Sequence, residues 1–250
     1  MIDIVWAYSL VSVIFVSLMS LVGVFGFFIK EKTMNKTLLF LVSFSAGSLL
    51  GGAFLHLLPE VVEEKGFGPE IGLAVLAGLT VFFVLEKFIH WRHCHIPTSK
   101  NHPHPFAYMN LVGDGLHNFI DGIVIGVTYL VSIPLGISTT LAVVFHEIPQ
   151  EIGDFGVLLH GGFDKKKALL LNFLTALTAI VGTVVGLIVG NMFEELTIFI
   201  IPFTAGGFIY IAGSDLIPEL QKTCHVTKST VQLIGILLGF GMMLLLLFLE

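Results

Sequence analysis

Two stretches concentrate the residues able to do chemistry: Gly113–Gly122 reads GDGLHNFIDG, and His146–Asp154 reads HEIPQEIGD. Asp114, His117 and Asp121 are spaced three and four apart, which on a helix places all three on one face. His146 and Gln150 are likewise four apart, and Glu147, Glu151 and Asp154 follow on an adjoining stripe. A His-x3-Asp face opposed to a His-x3-Gln face offers two imidazoles, a carboxylate and an amide oxygen. That donor set suits zinc, iron(II) or manganese better than calcium or magnesium, which prefer oxygen alone.

The elements that position these residues are membrane helices. The chain has 250 residues, 55% of them hydrophobic and 12% charged, with a mean hydropathy of +0.96. A soluble domain carries about 25% charged residues. Eight apolar stretches, at 5–29, 37–59, 70–89, 107–130, 136–160, 167–190, 196–218 and 229–249, can each cross a hydrocarbon core of about 30 Å. The connections are short, so residues 1–250 are read as one all-α transmembrane domain. The first 29 residues lack a basic n-region and are read as the first span. Cys94 and Cys224 lie too far apart in sequence for a disulfide framework. In so apolar a chain the net charge of −6 says little about nucleic acid; none is expected as a partner, and the bilayer itself is.

Orientation follows from lysine and arginine. Lys30, Lys32 and Lys36 follow span 1, Lys87, Arg92 and Lys100 follow span 3, Lys165 to Lys167 follow span 5, and Lys222 and Lys228 follow span 7. These are eleven of the twelve basic residues, all in alternate loops. Both termini are therefore expected outside the cytosol.

An internal repeat agrees with that topology. Ser45–Glu60 reads SAGSLLGGAFLHLLPE and Thr204–Glu219 reads TAGGFIYIAGSDLIPE, with Ala, Gly, Ala, Leu, Pro and Glu coinciding at a constant offset. Spans 2 and 7 run in opposite directions, and a repeat so inserted is the signature of an inverted-repeat transporter, here in a 3+2+3 order. A chance likeness between two apolar helices ending in Pro-Glu is the plainer alternative.

Spans 4 and 5 hold the unusual load. From Ala107 to Phe163 there are five carboxylates and no lysine or arginine. One aspartate at mid-bilayer costs roughly 2.5–3.5 kcal/mol, so five would cost on the order of 12–18 kcal/mol, comparable with the whole stability of a typical protein. Protons or a bound cation must neutralise them, and the nearby histidines favour the cation over a merely hydrogen-bonded polar core. Pro149 cannot donate to the carbonyl of Phe145, which frees an oxygen at membrane depth. Such irregular backbone is tolerated only where it lines a cavity or is buried in protein.

GDGLHNFIDG followed by HEIPQEIGD resembles the paired motifs of the ZIP metal transporters, especially the branch with HNFxDG and HEIPHE. The resemblance covers the whole chain: eight spans, both termini outside, and a histidine-rich loop after span 3. It implies transport of a divalent transition metal toward the cytosol, zinc first, with iron(II), manganese or cadmium as alternatives. It implies a multi-pass protein of the plasma or inner membrane, a candidate homodimer, without organic cofactor or enzymatic activity. By motif position, His117, Asp121, His146 and Gln150 would surround one ion, and Asn118, Asp121, Glu147 and Gln150 a second. The branch has histidine where this chain has Gln150. An amide oxygen is a weaker, uncharged donor, so one well-held ion and a weaker second are expected, with Glu151 the next source of negative charge.

Other signals are weaker. The cytosolic loop at about 90–106 carries His90, His93, Cys94, His95, His102 and His104, a composition able to bind metal, although the spacing matches no standard structural zinc site. A solvated loop is the bland alternative. His56 and Asp215 occupy equivalent repeat positions and, with Asp114 and Asp154, are candidate pathway residues; helix–helix hydrogen bonds explain them equally well. Two competing functions remain. An intramembrane metalloprotease would use His-Glu-x-x-His, but His146-Glu147-Ile148-Pro149-Gln150 lacks the second histidine. A proton-coupled carrier of an organic solute explains the carboxylates but gives His117 and His146 no task.

Overall fold

In lipid the backbone must satisfy its own hydrogen bonds, and this chain does so with helices. The computed structural model describes residues 2–22, 31–90, 105–192, 194–222 and 225–249. In order they form α1 (Ile2–Met19), α2 (Glu31–Gly51), α3 (Leu58–Lys65), α4 (Pro69–His90), α5 (Pro105–Val131), α6 (Ile133–His160), α7 (Lys165–Ala176), α8 (Thr178–Met192), α9 (Glu194–Tyr210), α10 (Ile217–Gln221) and α11 (Val226–Leu246). Among the described residues there is no strand. Six stretches there are long and apolar enough to cross a membrane: Ile4–Val22, Leu39–Glu63, Pro69–Lys87, Lys165–Met192, Phe199–Gln221 and Val226–Leu246. The helices that carry the two motifs, α5 and α6, are 27 and 28 residues long. Composition, not length, sets them apart. The expected first stretch, 5–29, is helical as far as it is described; residues 23–30 lie outside the described residues.

Proline explains the two irregular rods. Between α2 and α3 the helix widens into a π-helical segment, Gly52–Leu57, and between α9 and α10 into another, Ile211–Leu216. Pro59 and Pro218 follow directly, in the first turn of α3 and of α10. A proline inside a helix removes one hydrogen bond and crowds the carbonyl four residues back, and a π-bulge relieves that crowding. The two segments lie 159 residues apart, the offset of the sequence repeat. Each packs against the other rod.

Short, strongly specified turns hold the motif helices. Ser132 alone separates α5 from α6, with extended backbone and its side chain accepting from the Leu135 N–H at 3.2 Å, a capping bond that starts α6. At the other end Gly162, at φ 94°, reverses the chain, and Asp164 caps α7 by accepting from the Lys166 and Lys167 N–H groups at 3.1 Å each. The α5–α6 pair is thereby an antiparallel hairpin whose midpoints meet.

The helices pack as two groups of four rods. One joins α1, α5, α6 and the α7–α8 rod; the other joins the α2–α3 rod, α4, the α9–α10 rod and α11. The motif helices thus pack with α1 and α7–α8, whereas 3+2+3 describes an order along the chain and not a packing. Glycine seams make each group tight. A Cβ on Gly122 would lie 1.9 Å from the Ala179 carbonyl oxygen, and one on Gly182 2.0 Å from that of Phe119. In the other group a Cβ on Gly47 would lie 2.3 Å from the Ile236 oxygen, and one on Gly206 2.1 Å from that of Val75.

Gly122→Ala forces two helix backbones apart and should cost about 1–3 kcal/mol, seen as a lower melting temperature in detergent. Gly156→Ala, with nothing within 4 Å of the added carbon, should be neutral or stabilising by up to about 1 kcal/mol. Equal melting of the two variants would contradict the close approach.

Candidate metal centre

His117, Asp121, His146 and Glu147 converge where α5 and α6 meet, each offering one ligand atom, all within 4.8 Å of one another. Asp121 Oδ2 lies 3.1 Å from His146 Nε2 and 3.6 Å from His117 Nε2. Glu147 Oε1 lies 3.3 Å from His146 Nε2 and 3.4 Å from His117 Nε2. The two Nε2 atoms are 3.2 Å apart. The spacing predicted that Asp121 and the histidines would face one another. It put Glu147 on an adjoining stripe, yet Glu147 joins the cluster beside its neighbour His146.

Burial is unequal. His117 retains 14% side-chain exposure, against 1% for each of the other three, so a ligand reaches the cluster past His117. Phe82 on α4 packs edge-on to the His117 ring at 5.8 Å, and Phe208 on α9 tilts against His146 at 6.0 Å. His146 Nδ1 donates to the Ala142 carbonyl at 3.1 Å, which leaves Nε2 as the lone-pair side in the neutral ring. Among the described residues, Asp121 Oδ2, Glu147 Oε1 and Asn118 Oδ1 are buried and accept no hydrogen bond. Buried oxygens normally have a partner. Asp121 Oδ2 and Glu147 Oε1 belong to the four-donor cluster, where a cation would supply it.

Other candidate residues are held by different partners. Asn118 donates to Asp114 Oδ1 at 2.9 Å, while the Thr175 hydroxyl donates to the other Asp114 oxygen. Glu151 is buried but turned to α7, where Asn172 donates to its carboxylate, and so does not join the cluster. Asp154 accepts from Asn110 at 2.9 Å. His56 contacts the Met243 carbonyl oxygen at 2.8 Å, the helix–helix bond that was the alternative to a pathway role. The Phe145 carbonyl freed by Pro149 is taken by the Ser45 hydroxyl. The side chains of His90 and Asp215, and all of His93, Cys94, His95, His102 and His104, lie outside the described residues.

A cavity of 540 Å³ reaches the cluster from one end of the molecule. Its walls include His117, Gln150, Asp114 and Asp154, and it extends to Glu86, Glu219 and Lys222. Toward the opposite end, at the α5–α6 turn, Ile125, Tyr129, Leu135 and Val143 are buried in the main core. Ser12 on α1 ties down the Tyr129 hydroxyl at 2.7 Å. Among the described residues, this cavity opens the cluster from that one end.

Helices long and apolar enough to cross a membrane several times, closing around a buried set of nitrogen and oxygen donors, define a multi-pass membrane protein with a candidate metal centre. The chain belongs to the ZIP zinc transporter family, whose model matches residues 3–107 and 104–247. It is 34% identical to the zinc transporter zipt-7.1 of Caenorhabditis briggsae, over 96% of this chain and 78% of that protein. It is 30% identical to the zinc transporter SLC39A7 of Mus musculus, over 98% of this chain and 70% of that one. With the zinc transporter ZIP13 of Pongo abelii it shares 35% identity, over 82% of this chain and 65% of that one. All are named as transporters, and the intramembrane protease reading finds no support among them.

Sequence reasoning missed Asn172, although an asparagine inside the apolar α7 was the available signal. Asn172→Leu should leave the Glu151 carboxylate buried without its donor and cost about 1–3 kcal/mol of stability. An unchanged melting temperature would show that Glu151 finds a different partner.

Proposed function

We propose that this protein carries zinc across its membrane toward the cytosol, through an ion site formed by His117, Asp121, His146 and Glu147. The carrying observation is the spacing of those donor atoms: five of their separations run from 3.1 to 3.6 Å. At zinc–ligand lengths of about 2.0–2.2 Å the corners of a tetrahedron lie about 3.3–3.6 Å apart. Iron(II), manganese and cadmium are secondary substrates on the same donors. Asn118 Oδ1 and Gln150 extend the set toward a second, weaker ion. Two dications a few ångströms apart repel strongly in a weakly screened interior, and Gln150 brings a dipole but no charge.

The cavity that ends at Lys222 is the cytosolic exit, because lysine-bearing loops face the cytosol. Asp114 and Asp154 line that exit. The full topology is eight spans with both termini outside, built as an inverted 3+2+3 repeat in a plasma or inner membrane. The matched π-helical segments support the repeat, as do Gly47 and Gly206, which stand 159 residues apart and each press on the backbone of the next helix in its group. The loop at about 90–106 receives or senses metal on the cytosolic side, and a homodimer is the assembly that the family resemblance implies.

Zinc uptake into proteoliposomes, read with an enclosed zinc-sensitive dye, tests the reading. His117→Ala and Asp121→Ala should each remove most of the flux, and Asp114→Ala less. Uptake by His117→Ala at the parent rate would refute it. Gln150→Glu should strengthen the second ion's binding in calorimetry and slow its release. Two ions held with equal high affinity by the parent would show that the missing charge comes from elsewhere.

A further inference from the structure

The two helix groups meet where α4 and α9 pack on α5 and, most extensively, where α2 lies along α6, and a hydrogen bond crosses between them at α2 and α6. Ser45 on α2 is fully buried and its hydroxyl donates to the backbone carbonyl of Phe145 on α6. That carbonyl has no helical donor, because the residue four positions on is Pro149. Phe145 directly precedes His146, and Phe44, beside Ser45, packs edge-on against the Phe145 ring at 4.7 Å. Nearby serines behave differently: Ser43 and Ser48 bond back to carbonyls of their own helix, those of Leu39 and Phe44. The inter-helix bonds of His56, Glu86 and Gln232 stay inside one group, and those of Ser12, Asp114 and Thr183 inside the other. Ser45 bridges the two.

We propose that Ser45 is a positioning residue: its hydroxyl latches the helix group that holds the ion site to α2 and thereby weights the protein toward the arrangement open at the Lys222 end. The proposal rests on the transport reading above, since a carrier must at some stage expose its site on the other side. Backbone-to-backbone glycine contacts pin α5 to α8 in one group and α2 to α11 and α4 to α9 in the other, and a one-residue turn ties α6 to α5, so exposure by movement of one group against the other keeps these close contacts intact. That movement separates Ser45 from Phe145 and strands, at membrane depth, a partly buried carbonyl that Pro149 cannot serve. A buried acceptor without a donor is costly, and the cost falls on the arrangement with the latch undone.

The test reads cavity exposure by the rate of thiol labelling at Gly153→Cys, a cavity-lining position with room for a side chain, in a Cys94→Ser, Cys224→Ser background. Ser45→Ala should shift the equilibrium roughly tenfold away from the cavity-open arrangement and slow labelling, while Ser45→Thr, which keeps the hydroxyl, labels at the parent rate. Pro149→Ala returns an N–H to the Phe145 carbonyl, so in that background Ser45→Ala should have little further effect. Should Ser45→Ala fail to fold, Pro149→Ala is expected to rescue it. Labelling unchanged by Ser45→Ala, an equal slowing in the Pro149→Ala background, or no rescue of a misfolded Ser45→Ala would each overturn the latch. Labelling is read without zinc, so a protein that labels as expected yet moves no zinc refutes the transport reading alone.

Discussion

Two carboxylates, Asp121 and Glu147, are each 1% exposed and face one another through a pair of imidazoles. Two buried anions at membrane depth repel each other and have lost their water. Only something positive between them makes the arrangement tolerable, and the Nε2 atoms of His117 and His146 converge on that space. Much of the surrounding structure serves this convergence. The one-residue turn at Ser132 brings the midpoints of α5 and α6 together, the Nδ1 bond of His146 to Ala142 fixes its ring, and Phe82 and Phe208 wall the site with carbon.

Helical spacing made much of this centre legible before any coordinates. His117 and Asp121 four apart, opposite His146, require only that two short-linked helices lie antiparallel. Spacing could not settle Glu147 and Glu151, which are themselves four apart on one stripe. Which of them turns toward α5 depends on the third helix: Asn172 on α7 captures Glu151, and Glu147 is left to the cluster. A repeat position likewise gave His56 two equal readings, and only the packing of α11 against α2 supplied the Met243 carbonyl that occupies it. Lysine-poor acidic segments could be read from the chain, whereas the partner that each acid finds could not.

Proline provides a second organising constraint, met by two different means at Pro59, Pro218 and Pro149. Pro59 and Pro218 sit at the ends of π-helical segments, where the backbone widens and the proline opens a new helix. At Pro149 α6 runs on without a break, and the stranded Phe145 carbonyl is satisfied from outside by Ser45. The difference is one of position. A helix that must keep His146 and Glu147 in register over one turn cannot widen there without moving a ligand, so relief comes from a neighbour's side chain. The paired rods α2–α3 and α9–α10 carry no member of the four-donor cluster and are free to bulge.

Tightness within the groups and sparseness between them answer the same demand. A cavity that stops at His117 on one side and buried Tyr129 and Leu135 on the other leaves a cation one way in this arrangement. Opening the second way by deforming the cluster would pull apart donors that lie 3.1 to 3.6 Å from one another and expose two bare carboxylates to carbon. Sliding intact groups past each other leaves those distances alone and disturbs side chains where the groups meet, at α2 against α6 and at Phe82 and Phe208 beside the two histidines. Glycine seams, in which a single Cβ would strike a neighbouring carbonyl, hold α5 to α8, α2 to α11 and α4 to α9, and the one-residue turn at Ser132 ties α5 to α6. At the α2–α6 contact the opposing side chains Phe44, Ser45 and Phe145 can part and re-form, whereas Phe82 and Phe208 meet the histidines through carbon alone, so the hydrogen bond lost on moving is the one at Ser45.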